Sequence, residues 1–223
     1  MAINIDTVYQ KVLVFANKEQ RGYVTPQEFN LFADQAQMEI FEQYFYDLNQ
    51  YMRIHGSDQE YSDIIHNINE KIAIFESTSG IGNGTITATD LYRLGTVISN
   101  GVEVEEVQQN EILYMNNSAI LRPSASRPVY IRTGETSIET YPAGIFVSCT
   151  YVRKPARPNW SYVVVNGNAM HDPANKVDFE LHSSEENELI YKILKFAGIA
   201  MKRNDIVKSG EGMEIMQIQQ EKQ

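Results

Sequence analysis

The residues best suited to chemistry are few, and each stands in a context that points away from it. The run Gly80-Ile81-Gly82-Asn83-Gly84 has the composition of a loop that cradles phosphate with backbone N–H groups. Such loops follow a strand and open a helix, and the Walker type ends in Lys-Ser/Thr. Here a helical pattern precedes the run and Thr85-Ile86-Thr87 follows it, so a nucleotide site is not expected. His171-Asp172-Pro173 sets a base beside a carboxylate, but adjacent residues next to a proline read as a turn in which Asp172 bonds its own backbone. His55, His66, His171 and His182 lack the paired spacing of a helical metal site. Cys149, the single cysteine, lies in the strand-like run Phe146 to Val152 and reads as a packed small residue. One cysteine permits neither an internal disulfide nor a multi-cysteine zinc site, consistent with a reducing cytoplasm. No Gly-x-Ser-x-Gly elbow or EF-hand pattern occurs. No catalytic, metal or cofactor residue is therefore assigned, and the expectation is a protein that is not an enzyme. Carboxylates far apart in sequence escape such a search, which keeps a metal-dependent hydrolase or nuclease as the alternative.

What remains is a distribution of charge. The chain of 223 residues has a formal net charge of −10, which argues against general affinity for nucleic acid. Between Asn117 and Trp160 the sign reverses: Arg122, Arg127, Arg132, Arg153, Lys154 and Arg157 stand against Glu135 and Glu139, so this segment carries +4 and the rest −14. The stretch Arg153-Lys154-Pro155-Ala156-Arg157-Pro158-Asn159-Trp160 combines cations, prolines and the single tryptophan. Surfaces for single-stranded nucleic acid mix such residues, and so do protein interfaces, which the acidic total favours. Arg122, Arg127, Arg132, Arg153, Lys154, Arg157 and Trp160 are the candidate interface. Thirteen tyrosines suit either interfaces or the core margin.

These residues must be carried by a scaffold, and the hydrophobic spacing predicts an α+β fold. Ile5, Val8, Val12 and Phe15 predict an amphipathic helix from Asn4 to about Asn17. Thr25-Pro26-Gln27-Glu28 is a capping box with proline at the first helical position. It opens a long helix, with Phe29, Phe32, Ala33, Ala36, Ile40, Phe41, Tyr44, Phe45 and Leu48 on one face, that ends near His55-Gly56. A third helix is expected from about Asp58 to Glu76, followed by a flexible, turn-prone segment from Ser77 to Gly84. From Thr85 to Val165, short β-branched and aromatic runs between Gly, Pro and Asn predict an antiparallel sheet. Strands are placed at Asp90 to Ile98, Ile145 to Val152 and Ser161 to Val165, with a hairpin from Tyr130 to Tyr141 turning at Gly134 and a helix within Val102 to Met115. Ser183 with Glu186 predicts another capping box and a helix to about Arg203, its lysines toward the end that the dipole prefers. The last twenty residues read as a frayed tail or an arm ordered on a partner. The expected regions are thus a helical bundle over 1–79, a β-rich region over 80–177, a helix over 178–203 and an extended or helical arm over 204–223. No stretch approaches the ~18 apolar residues that span a bilayer, and Met1 to Asp6 lacks the features of a signal peptide, so no membrane association is expected.

The order of these elements, with Asp90-Leu91-Tyr92-Arg93-Leu94, Pro128-Val129-Tyr130-Ile131-Arg132, Tyr151-Val152-Arg153-Lys154-Pro155, Asp178-Phe179-Glu180-Leu181 and Glu188 to Leu194, resembles head-to-tail connector proteins. These are the adaptor or neck-ring proteins of tailed bacteriophages, short-tailed or crAss-like. The resemblance implies a virion structural protein made in the bacterial cytoplasm. Its subunits would form a ring, commonly a dodecamer, beneath the portal, in contact with other neck or tail proteins. DNA would pass through the channel without sequence-specific binding.

Overall fold

The computed structural model describes residues 3–16, 24–53, 59–82, 84–200 and 204–221. The elements, in chain order, are helices α1 (Ile5–Ala16), α2 (Pro26–Arg53) and α3 (Gln59–Ala73), then strands β1 (Glu76–Gly82), β2 (Thr85–Ile86), β3 (Leu91–Ser99), β4 (Val102–Glu103) and β5 (Glu105–Glu106). Helix α4 (Gln109–Asn117) precedes β6 (Val129–Arg132), β7 (Ile138–Tyr141), β8 (Val147–Arg153), β9 (Tyr162–Val165) and β10 (Asn168–His171), and the chain continues through α5 (Glu186–Ala200) and α6 (Asn204–Glu221). The fold is α+β, with six α-helices among the described residues. Two compact units divide it: residues 1–74 with 155–223, and residues 75–154. The expected bounds at 79/80 and 177/178 fall elsewhere, because strand pairing already begins at Glu76 and the chain from Pro155 onward packs on helices.

In the helical unit α5 is central, packing against α1, α2 and α6. Asn4 caps α1, its side-chain oxygen accepting from the N–H groups of Asp6 and Thr7 at 2.9 and 3.2 Å. The buried stripe of α1 is Ile5, Val8, Tyr9, Val12 and Ala16, whereas Phe15, expected inward, is exposed. Tyr9 and Ala16 keep the three-and-four spacing from the same anchors, and the packed side follows them. The Thr25 capping box forms: Thr25 N–H donates to the Glu28 carboxylate at 3.0 Å and Glu28 N–H to the Thr25 hydroxyl at 3.3 Å. The expected ends of α2 at His55-Gly56 and of α5 at Arg203 lie outside the described residues.

The start of α5 differs from expectation. Ser183–Glu185 forms a 3-10 turn capped by the His182 ring, which accepts from Ser184 N–H at 3.3 Å, so the box between Ser183 and Glu186 does not form. Lys192, expected near the helix end for the dipole, is buried instead. Its ammonium reaches Glu214 of α6 at 2.6 Å, Glu188 at 3.5 Å and Glu39 at 4.0 Å. Lys195 adds a second contact to Glu214 at 3.4 Å. Residues 204–221 are therefore a helix docked on α5 and not a frayed tail. Gly210 lets the backbones approach, since a Cβ there would stand 3.3 Å from the Tyr191 carbonyl.

The β unit is layered. One sheet has the order β2-β1-β8-β3-β4 and the other β5-β6-β7, with β5 and β6 parallel and the remaining pairs antiparallel. Ser77 to Gly82, expected as a turn-prone loop, lies in β1, which pairs with β8 from Glu76↔Val152 to Ile81↔Val147. Ser79 and Ile81 alternate inward there, so cross-strand burial overrides the loop-like composition. Val129-Tyr130-Ile131 is buried on both faces of β6: Tyr130 points to the core shared with β1 and β8, while Val129 and Ile131 pack on Ile112 of α4. The expected helix over Val102 to Met115 is present only from Gln109, β4 and β5 occupying its first part. The hairpin at Gly134 forms, with Thr133 and Gly134 N–H both donating to the Ser137 carbonyl. Two further hairpins turn at Asn100-Gly101 and Asn166-Gly167, where positive φ angles suit a tight primed turn.

Burial opposes the charge of Lys192, but the hydrogen bond and charge of Glu214, with Glu188 and Glu39, outweigh it and hold the ammonium above its ordinary 10.5. Burial likewise opposes ionisation of Glu214, and Lys192 and Lys195 outweigh it and hold the carboxyl below its ordinary 4.5. The lysine's contribution is thus complete below pH 10.5 and lost as pH rises through its folded value. That of the glutamate is complete above pH 4.5 and lost as pH falls through its folded value. Urea midpoints should fall on both sides of this window, and Glu214→Gln should flatten the acid side. An unchanged acid limb in that variant would refute the assignment.

Candidate functional site

The seven candidate interface residues do not share one compact unit: Arg122, Arg127, Arg132, Arg153 and Lys154 belong to the β unit, Arg157 and Trp160 to the helical one. Trp160 is only 2% exposed and is a core residue. Its ring lies 4.1 Å from that of Tyr9 and stacks on Tyr162 and His171, and its indole N–H donates to Asp6 at 2.9 Å. Asn30 holds its backbone, accepting from Trp160 N–H at 2.8 Å. Arg157 pairs with Asp34 at 3.1 Å in a solvent-facing contact worth about 0–1 kcal/mol. The guanidinium of Arg153, half-buried, sits 5.9 Å over the Phe75 ring. Arg132 donates to the carbonyls of Gly134 and Glu135 and braces its own hairpin. Lys154, Arg122 and Arg127 are exposed.

Arg122 and Arg127 follow α4, and their surroundings form an exposed surface that mixes apolar and cationic groups. Ile112 and Met115, three residues apart, turn α4 toward the core of the β unit. Leu113 and Tyr114 are consequently left outside, 64% and 76% exposed. The next turn is closed by Leu121 N–H donating to the Ser118 hydroxyl at 3.3 Å, and at its tip Ile120 is 91% exposed. A second turn, Ser124 to Arg127, is bridged by two backbone hydrogen bonds. Below it Tyr130 donates to Glu106 at 3.1 Å, and burial together with that carboxylate pushes the phenol up to about 12.

The helical unit contains a cavity of about 360 Å³ between α2, α3 and the start of α5. Ile40, Ile64 and Ile68 supply aliphatic wall, and Tyr44 and Tyr51 supply rings. Among the described residues, four carboxylates, Asp47, Glu70, Glu185 and Glu188, line it with one ammonium, Lys71, which pairs with the buried Glu185. Its chemistry favours a cation on an apolar stem. Sequence inspection could not reveal this site, because its walls come from three stretches far apart in the chain and none carries a motif.

No protein-family model matches the chain, and neither does any curated protein sequence. Cys149 is buried in β8, and burial pushes its thiol up, as suits a packed residue. Asp172 forms the expected turn, accepting from Ala174 N–H at 3.0 Å and the Asn175 amide at 2.9 Å. His171 instead stacks on Trp160. His55 lies outside the described residues, and His66 is exposed. Gly80 and Gly82 are strand residues of β1, with no helix after them to receive a phosphate. Among the described residues, no three His, Cys, Asp or Glu side chains are grouped to hold a metal ion. Again among those residues, no helix is long and apolar enough to cross a membrane.

The tryptophan and the outer arginines should respond differently to substitution. Trp160→Phe removes a hydrogen bond to a carboxylate and part of a buried stack, and should cost about 1–3 kcal/mol in urea unfolding. Arg122→Ala and Arg127→Ala should each stay within about 0.5 kcal/mol. Comparable losses at all three positions would contradict this division.

Proposed function

We propose that the protein is a structural subunit of a tailed-phage head-to-tail connector, assembling into a ring of identical copies around a DNA channel. The observation that carries this reading is the surface formed by α4 and the turn after it. There Leu113, Tyr114, Ile120 and Leu121 are exposed beside exposed Arg122 and Arg127. Exposed apolar side chains grouped with arginine and tyrosine are the composition of a contact surface. The β9–β10 hairpin adds a second group, since Val163, Val165 and Met170 fall on one face of a two-stranded ribbon and are exposed. A ribbon of two strands also presents unpaired backbone at both edges, which neighbouring chains can extend.

Charge supports the same reading. The −14 carried outside the Asn117 to Trp160 segment gives acidic surface that repels a passing duplex, while the arginines after α4 are placed to meet acidic surface on another copy. The portal above and neck or tail proteins below are the expected neighbours, and the expected ring is twelvefold. The virion is the proposed location.

Mass measurement by light scattering, combined with negative-stain images, tests the proposal. The purified protein should give closed rings. The combined change Arg122→Glu and Arg127→Glu should reduce them to monomers with an unchanged far-ultraviolet circular dichroism spectrum. Rings of normal mass from the double variant would remove the role of the arginines. Turnover of a phosphodiester by the isolated chain with Mn²⁺ would replace the structural reading with the hydrolase alternative.

A further inference from the structure

We propose that the contact between copies is a plug and socket, in which the Ile120-Leu121-Arg122 turn of one copy enters the cavity between α2 and α3 of the next. The inference rests on the subunit reading above and adds the site through which copies join. The two surfaces match in three respects. The plug is small and prominent: Ile120, at 91%, is the most exposed large hydrophobic residue described, with half-exposed Leu121 beside it. The socket, about 360 Å³, lies at the lower end of the ~300–1,000 Å³ typical of cavities that hold a compact ligand. Its aliphatic wall of Ile40, Ile64 and Ile68 suits the two apolar side chains.

Charge gives the orientation. Among the described residues, four carboxylates and one ammonium line the socket, and Lys71 already neutralises Glu185. Half-buried Asp47 and exposed Glu70 are the acids left for an incoming guanidinium, and the half-buried ring of Tyr51 offers a face for it to stack on. Arg122 follows the two apolar residues directly, so its planar cation arrives with them. Because the plug belongs to the β unit and the socket to the helical unit, the contact joins different patches of two copies. Such a head-to-tail contact propagates around a ring when the rotation closes.

Cross-linking between two full-length populations tests the contact. One carries Ala119→Cys, next to the plug, and the other Gln43→Cys, on the socket wall; neither change touches a residue that the match requires, and the native Cys149 is buried. Under mild oxidation the mixture should form disulfide-linked pairs of one chain from each population, at least tenfold faster than either population alone. Adding Arg122→Asp to the first population should slow linkage at least tenfold, and Asp47→Arg in the second should restore it. Rings of normal mass without mixed disulfides would overturn the plug and socket and leave the subunit reading standing. A protein that remains monomeric and unlinked at high concentration would overturn both. A chain bearing both cysteines that closes on itself as a monomer would also refute the contact, by making the occupant the same chain.

Discussion

The helical unit depends on one buried amide. Gln37 of α2 is fully enclosed, and both ends of its side chain are engaged: the nitrogen donates to the Ala156 carbonyl at 2.8 Å, and the oxygen accepts from Glu180 N–H at 3.1 Å. Outside the β9–β10 ribbon, residues 155–182 belong to none of the sheets, so their backbone groups need partners from elsewhere. Gln37 supplies one at each end of that stretch. Between them Asn159 and Val177 pair with each other, and Phe179 pairs with Ile3, which brings the chain back to the start of α1. The arrangement fixes Trp160 against Tyr9 and makes a firm base for the hairpin that follows. An apolar residue at position 37 would keep the helix packing and leave the Ala156 carbonyl and the Glu180 N–H without this partner.

Charge has different roles in the interior and on the surface. Inside, Lys192 is enclosed by carboxylates from α2, α5 and α6, so three helices share one cation whose removal would leave buried acids uncompensated. Asp178 shows a related balance. Its burial favours the neutral acid, but Ile5 N–H and Lys176 outweigh it and hold the carboxyl low, at the positive end of α1. Outside, the cations after α4 have turn backbone and water around them, which leaves them available to another molecule.

Legibility in the sequence followed how local each cause is. The Thr25 box, the stripe of α1 apart from Phe15, and the Gly134 hairpin are set by residues within a few positions of one another, and all are legible in the sequence. β1 is not, because Ser77 to Gly82 becomes a strand only when β8 lies beside it. α6 is legible only as an extended or helical arm for a similar reason: its docking is set by Glu214 reaching Lys192 and by Gly210 against α5, and neither leaves an apolar stripe. Asn100-Gly101 and Asn166-Gly167 are strong hairpin signals that mark the turns into β4 and β10. Trp160 reads as a surface anchor in the sequence because its neighbours are cations. The alternating burial of Pro155, Pro158 and Trp160 against exposed Lys154 and Arg157 could be seen only once the helices lay beneath them.

The β unit is an insertion within the helical one, and this governs the order in which the polypeptide can mature on a ribosome. Residues 75–154 are contiguous, and their two ends meet directly, Arg153 N–H donating to the Phe75 carbonyl at 2.9 Å. That unit holds all its strands as soon as it leaves the exit tunnel. α1, α2 and α3 emerge earlier but lack α5, which arrives more than a hundred residues later, a delay on the order of ten seconds at ordinary elongation rates. During that interval α2 has no α5 to pack against and Phe32 lacks Phe196, so the nascent N-terminal helices are the natural client for a holding chaperone, while the later-made insert is already complete.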